Sequence, residues 1–433
     1  MKKINRIFKC NRIRRFGGKI SSFLKKKIVR CSLRTALILT ILCYFADNQP
    51  LFTGESLTRL YITQRICDFF HIEQEVDYGE VLFCDTSYDL DLVPVLEYNH
   101  LEYSDTLGVS AITDRNKLYR FLDLLQKGDK YRYLIIDLAF DENDKTKYDD
   151  ALYDKILSMR NIVIANDNGF QLATKLKDKG IDGLDSYYIT KTSTNFSRFE
   201  YSENDKRSIP LFVFEKLYPE KSIHRFGIGR LSVYFSNGHL CHNSNFLTFD
   251  DFYSGERVVT LSENNDLTLL VPIYQTINSF ISKSEDNEEE LVSELASASD
   301  GKVVIIGNYV NDIHDTYMGK KPGPVIIARA LQTLIEGKHI VSLWHTLIWF
   351  VIFFLISFLI YKDKPISMYI PILKRIPYKF IHMIISLISY GFVIGLCSII
   401  EYALFNRVYS LIVPLIGFAV IKLIVQYSKF DKL

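Results

Sequence analysis

Apolar and polar positions alternate with different periods in different parts of the chain. "DRNKLYRFLDLLQKG" (Asp114–Gly128) places Leu118, Phe121, Leu122 and Leu125 at helical spacing. Asp114 is suited to start that helix and Gly128 to stop it. "KYDDALYDKILSMR" repeats the pattern through Tyr148, Leu152, Ile156 and Met159. Between and around these stand short unbroken apolar runs: "EVLFCDTS" (Glu80–Ser87), "RYLIIDLAFD" (Arg132–Asp141), "NIVIAND" (Asn161–Asp167) and "GKVVIIGNY". Such runs predict strands buried on both faces, and the βαβαβ order predicts a parallel sheet with right-handed crossovers.

The middle, residues 169–299, is less regular. "RFGIGRLSVYFSNG" and "FLTFDDFYSG" read as short strands or loops, and the acidic stretch Ser282–Asp300 as a solvated helix or linker. "PVIIARALQTLIEGK" then predicts a helix with Pro324 in its first turn and Gly337 at its end.

The remaining pattern is continuous. "LWHTLIWFVIFFLISFLIY" (Leu343–Tyr361), residues 380–400 and residues 408–427 are almost free of charge. At 1.5 Å per residue, each is roughly 30 Å long as a helix, the thickness of a bilayer core. Residues 28–46 form a fourth candidate if Arg30 and Arg34 reach back to the interface. No small-x-small cleavage site follows Ala46, so an uncleaved anchor is expected rather than a signal peptide.

Charge orients these segments. Residues 1–34 hold thirteen Lys or Arg and no acid. Residues 362–433 hold nine against three acids. Against a whole-chain charge of +2, the +13 of the head and the +6 of the tail leave −17 for residues 35–361. The positive-inside rule then predicts a basic cytoplasmic head (1–27), an extracytoplasmic α/β domain (47–341) and four transmembrane helices. The loop Lys362–Lys379 falls inside and the turn Glu401–Arg407 outside. Beside a membrane anchor the basic head reads as a lipid-facing segment, not a nucleic-acid site. Glu401 and Lys422 read as interface residues, not as an ion path.

Candidate chemistry concentrates in "VVIIGNYVNDIHDTYMGKKPG". No Walker loop is present, since Gly319-Lys320 is followed by Lys321 and no glycine stands five residues earlier. No G-x-S-x-G elbow occurs, and seven cysteines without CxxC spacing give neither a zinc site nor a disulfide framework. One disulfide among Cys67, Cys84 and Cys241 stays open. Asp312, His314 and Asp315, with the strand-end acids Asp85 and Asp137, form the one cluster suited to a metal or a ligand at a sheet's carboxyl end. The plainer expectation is that Asp312 and Asp315 hydrogen-bond turn backbone while His314 faces solvent.

Three stretches carry a resemblance: "VLFCDTSYDLDLV", "YRYLIIDLAFDENDKTKYDDALYDKIL" and "GKVVIIGNYVNDIHDTYMGKKPGPVIIARALQTLIEGK". Over roughly residues 50–340 the chain resembles the CHASE2 family of extracytoplasmic sensor domains. That family has one N-terminal span, an outer α/β domain and typically three further spans. The closing signature falls on Gly307, Asp312 or Asp315, Thr316, Gly319, Pro322 and Gly323. The resemblance implies a non-catalytic sensor in the bacterial inner (cytoplasmic) membrane, with no cofactor or metal. CHASE2 proteins commonly continue into a cytoplasmic enzyme; here the chain stops six residues after Tyr427. The expected output is therefore a separate cytoplasmic or membrane signalling partner, with a homo-oligomer as a further partner class. A scaffold subunit of a membrane complex is the alternative, and an outer-face enzyme using Asp85, Asp137, Asp312 and Asp315 the third reading.

Overall fold

A computed structural model describes residues 27–47, 61–63, 65–66, 69, 80–98, 104–138, 140, 146–164, 196, 198–203, 206–227, 232–247, 256–260, 268–272, 275–281, 287–316, 319–362, 379–405 and 412–430. The basic head up to residue 26, the loop 363–378, Cys67 and most of "FLTFDDFYSG" lie outside the described residues. The chain divides into two compact units, Glu73–Ile340 and Met1–Ile72 with Val341–Leu433.

The first unit is built on a five-stranded sheet. Its strands are β1 (Val81–Asp85), β2 (Tyr133–Asp137), β3 (Ile162–Ile164), β4 (Gln275–Thr276) and β5 (Val303–Gly307). They lie in the order β4-β1-β5-β2-β3, all parallel. The apolar runs become strands because both faces are covered. On one face, Leu82, Leu134, Ile136, Val304 and Ile306 pack under Leu118, Phe121, Leu122, Leu152, Ile156 and Phe280. On the other, Phe83, Ile135, Val163 and Ile305 pack under Leu211, Phe214, Val325, Ile327 and Leu331. Helices on both sides of a parallel sheet make a three-layer α/β unit. The last strand, β5, inserts between β1 and β2. That placement aligns Asp85, Gly307 and Asp137 side by side at the carboxyl end of the sheet.

Helices are numbered along the whole chain: α1 (Lys27–Asp47), α2 (Arg115–Gly128), α3 (Asp149–Ser158), α4 (Ile209–Leu217), α5 (Ile277–Ile281), α6 (Glu288–Ser299), α7 (Gly323–Ile335), α8 (Leu343–Tyr361), α9 (Lys379–Phe405) and α10 (Ile412–Phe430). Asp114 caps α2 as expected, accepting from the Lys117 amide at 2.9 Å. The stop differs from the expectation. Asp129 takes the left-handed conformation, with φ 48°. Gly128 instead serves packing, since a Cβ there would stand 3.0 Å from Ala296 Cβ of α6. Of the two expectations for the acidic stretch, the helix holds where it is described: α6 leaves Glu288, Glu289 and Glu290 exposed and buries Leu291 and Leu295 in the core. The irregular middle supplies a three-stranded antiparallel sheet, Ile223–Phe226, Val233–Ser236 and His239–Cys241. Asn237 and Gly238, at φ 47° and 77°, form its two-residue turn.

The second unit is helical. Ala36, Leu39, Trp349, Phe353, Ile356, Tyr390, Ile394 and Phe418 from α1, α8, α9 and α10 form its core. Lys27–Ala46 and Leu343–Tyr361 are long and apolar enough to cross a membrane; the other two helices carry shorter apolar stretches, Leu387–Ile400 and Ile412–Val425. The segment expected at 380–400 runs on to Phe405, so Glu401 lies within helix rather than in a turn. The segment expected at 408–427 begins at Ile412 and continues to Phe430.

Candidate functional site

β1 ends in Asp85, which is fully buried. Its Oδ1 accepts from the amides of Ser87 at 2.9 Å and Tyr309 at 3.2 Å, and from the Ser87 hydroxyl. Ser87 Oγ accepts in turn from the amides of Tyr309 and Val310. Asn308 Oδ1 accepts from the amides of Val310 and Asn311 at 3.1 and 2.7 Å. The backbone needs this clasp: both strands end inside the molecule, and buried amides left without acceptors would be costly. Asp85 therefore ties the loop after β1 to the loop after β5. Its second carboxylate oxygen is buried and makes no hydrogen bond.

Gly307 is required by a close approach. A Cβ there would stand 2.4 Å from Pro324 Cγ and 3.4 Å from Asp137 Cβ. The first turn of α7 thus sits directly on the end of β5. At Gly323, the first residue of α7, the obstacle is a carboxylate: a Cβ would stand 2.0 Å from Asp312 Oδ2 and 3.4 Å from Asp137 Oδ2. The Gly323 amide donates to the Asp312 carbonyl at 2.8 Å. Two carboxylates therefore lie against the amino end of a 13-residue helix, where the helix dipole is positive. Pro322 precedes that helix and supplies no side-chain cap.

The stretch between β5 and α7 is a hairpin of β6 (Ile313–Thr316) and β7 (Gly319–Pro322). Thr316 Oγ1 donates to the Gly319 carbonyl at 2.6 Å, and Gly319 has φ 87°. His314 is partly exposed, as expected, but it also has partners within the protein. Its Nε2 lies 2.8 Å from Asp312 Oδ1 and its ring packs on Phe196, with centroids 4.4 Å apart. The hydrogen bond to Asp312 raises the imidazole pKa; partial burial opposes it, and the charges of Asp312, Asp137 and Asp315 add to it.

The fold thus gathers Asp137, Gly307, Asp312, Pro322 and Gly323 at the start of α7, with His314 joined to them through Asp312. Asp85 lies on the other side of β5 in its own network. Asp315, Thr316 and Gly319 follow the hairpin outward, with Asp315 opposite Lys320. Asp315 keeps a backbone role, its carbonyl accepting from the Phe196 amide at 2.9 Å.

Sequence reasoning missed Ser87, Asn308 and the second layer beyond them. Asp89, almost fully buried, binds Lys117 Nζ at 2.9 Å, which raises the lysine's pKa. Arg115, also buried, holds its guanidinium over Phe140 at 4.5 Å and its Nε 3.7 Å from Asp149. A short polar run directly after a buried strand is the signal that would have found Ser87 and Asp89.

Among the described residues no three or more His, Cys, Asp or Glu side chains are grouped to hold a metal ion. Cys84 and Cys241 are both buried, and no disulfide joins them to each other. Burial pushes the Cys241 thiol up to about 12 and the Cys84 thiol further still, Asp85 adding to the shift of Cys84. Compared with known proteins, the chain matches no family model, no curated protein and no solved structure.

Proposed function

We propose that the protein is a membrane-anchored sensor of CHASE2 type. On this reading α1, α8, α9 and α10 cross the cytoplasmic membrane of a bacterium, and the α/β unit lies outside. The outward apolar surface of the helical unit supports the spans: Leu37, Ile38, Val351, Leu355, Phe392 and Ile424 are all exposed large hydrophobics. The charge distribution along the chain supports the orientation.

The observation that carries the sensory reading is the seating of α7. Its first turn rests on Gly307, Asp137 and Asp312, and a connection of seven residues (336–342) leads from its last, Ile335, into α8. A stimulus that alters the carboxyl end of the sheet therefore acts on a helix one short connection from a span. The protein relays this shift through its membrane helices to a signalling partner by biasing two arrangements of the bundle.

The test compares wild type with Asp312→Asn in full-length protein in nanodiscs, by hydrogen exchange. The reading predicts altered exchange in α7 and in α1 and α8, with the α/β unit still folded. Exchange altered throughout the α/β unit and unchanged in α1 and α8 would make the loop structural.

A second reading, a scaffold subunit, is favoured by one feature. The hairpin Leu90–Tyr98 and Ser104–Thr113 turns Leu92 and Val109 outward at 74% and 65% exposure. A partner that co-purifies through this hairpin regardless of conditions would support it.

A further inference from the structure

We propose that the ligand of this site is the proton: His314 takes it up, and the charged imidazole clamps Asp312, and with it the β6–β7 hairpin, over the first turn of α7. This rests on the sensory reading above and names its stimulus.

The two oxygens of Asp312 do two different jobs. Oδ1 meets His314 Nε2 at 2.8 Å, and Oδ2 occupies the space that any side chain at position 323 would need. The Asp312 carbonyl adds a bond from the Gly323 amide. The carboxylate is thus held between a titrating ring on the hairpin and the positive end of α7. Loss of the imidazole's charge leaves a neutral contact in place of an ion pair, and Asp312 is then drawn only by the helix.

The imidazole is placed to exchange protons with solvent while staying fixed. Its side chain is 35% exposed, and Phe196 holds the opposite side of the ring without bringing a charge. The charged groups facing it, among the described residues, are Asp312 from the preceding loop, Asp315 on its own strand, Asp137 from the end of β2, and Lys321 across the hairpin. Three carboxylates against one ammonium favour the charged ring, with the direct bond from Asp312 the largest contribution.

The sign follows from linkage. The folded-state pKa is raised, so the pair's contribution is fully present below the ordinary histidine value of about 6.5. It is lost as pH rises through the higher folded value. The clamp is therefore closed in acid and released toward alkaline pH.

The experiment uses full-length protein in nanodiscs. Hydrogen exchange, corrected for the chemical effect of pH, is measured across Ile313–Arg329 at about pH 5.5 and about pH 8.5. Wild type is expected to lose roughly threefold to fivefold of its protection at the higher pH, the size of a half-exposed ion pair. His314→Gln, which keeps a donor but cannot titrate, is expected to show no such change. A wild type without the pH effect, or a His314→Gln variant that retains it, overturns the proposal. The imidazole resonance absent from His314→Gln gives a second readout. It should titrate above about 6.5 in wild type and move down in Asp312→Asn; an ordinary, unmoved value overturns the clamp. If the clamp titrates while α1 and α8 do not respond, the proton site stands and the sensory reading falls. If Asp312→Asn alters α1 and α8 but His314 does not titrate with the hairpin, the sensory reading stands and the proton proposal falls.

Discussion

The α/β unit and the helical unit differ in how much large apolar surface they turn outward. In the α/β unit the strands Tyr133–Asp137 and Val303–Gly307 are buried throughout, and the large apolar side chains fill two layers between sheet and helices. In the helical unit Ser32, Thr35, His345, Ser357 and Ser398 are buried, while Leu37, Ile38, Ile41, Ile388 and Phe392 face outward. Inside it, Thr35 meets the Tyr361 hydroxyl at 3.1 Å and the Trp349 indole donates to His345 at 3.1 Å. Water drives apolar groups inward in the first unit. In the second, on the membrane reading proposed above, the surroundings are as apolar as its own side chains, and small and polar residues gain most by meeting one another.

The strongest way to break the comparison is to put the same charge on an exposed leucine in each unit. Leu37, near the middle of α1, is 54% exposed, and Leu92 is 74% exposed. Leu37→Asp is expected to cost about 2.5–3.5 kcal/mol of membrane insertion. Leu92→Asp should stay within about 0.5 kcal/mol. A glycosylation-based insertion assay and thermal unfolding read the two; similar small effects would mean that both surfaces face water.

A glycine in each unit sharpens the contrast between rigid and yielding contacts. Cβ atoms added at Gly307 and Gly417 would stand 2.4 Å from Pro324 Cγ and 2.3 Å from Leu39 Cδ2. The distances match, but one obstacle is a ring at a helix start and the other a flexible methyl end. Gly307→Ala is expected to cost about 2–3 kcal/mol, measured by denaturant unfolding of the α/β unit. Within the same unit, Asp85→Ala should cost about 1–3 kcal/mol by stranding the Ser87 amide and releasing the Ser87 hydroxyl that holds the Tyr309 amide. Asp85→Asn should restore most of it, since an amide oxygen can accept the same bonds. Gly417→Ala should cost less than about 1 kcal/mol, because Leu39 can change rotamer.

The two units also differ in how readable they are. Leu343–Tyr361 reads directly from its unbroken apolar run, and α8 has those limits, because a span is a local property of one segment. The strands and amphipathic helices of the α/β unit are legible for the same reason. The order of strands is not. Nothing local says that Val303–Gly307 lies between Val81–Asp85 and Tyr133–Asp137, because that is decided by which faces the later helices cover. The site inherits this limit. Asp85, Asp137, Gly307 and Gly323 can be picked out as strand-end and turn residues. That a side chain at position 323 would displace the Asp312 carboxylate is a tertiary fact. The contact of His314 with Asp312 is not legible either, because it depends on how the loop before β6 turns.

The topology proposed above puts the α/β unit on one side of a membrane and the α8–α9 connection on the other. Labelling of single introduced cysteines with a membrane-impermeant maleimide tests this most directly, with unmodified protein as the blank. Tyr88, 72% exposed in the α/β unit, and Lys362, exposed just after α8, are the two positions. Tyr88→Cys is expected to label in intact cells, and Lys362→Cys only after the membrane is opened. Equal labelling of both positions from the same side would contradict it.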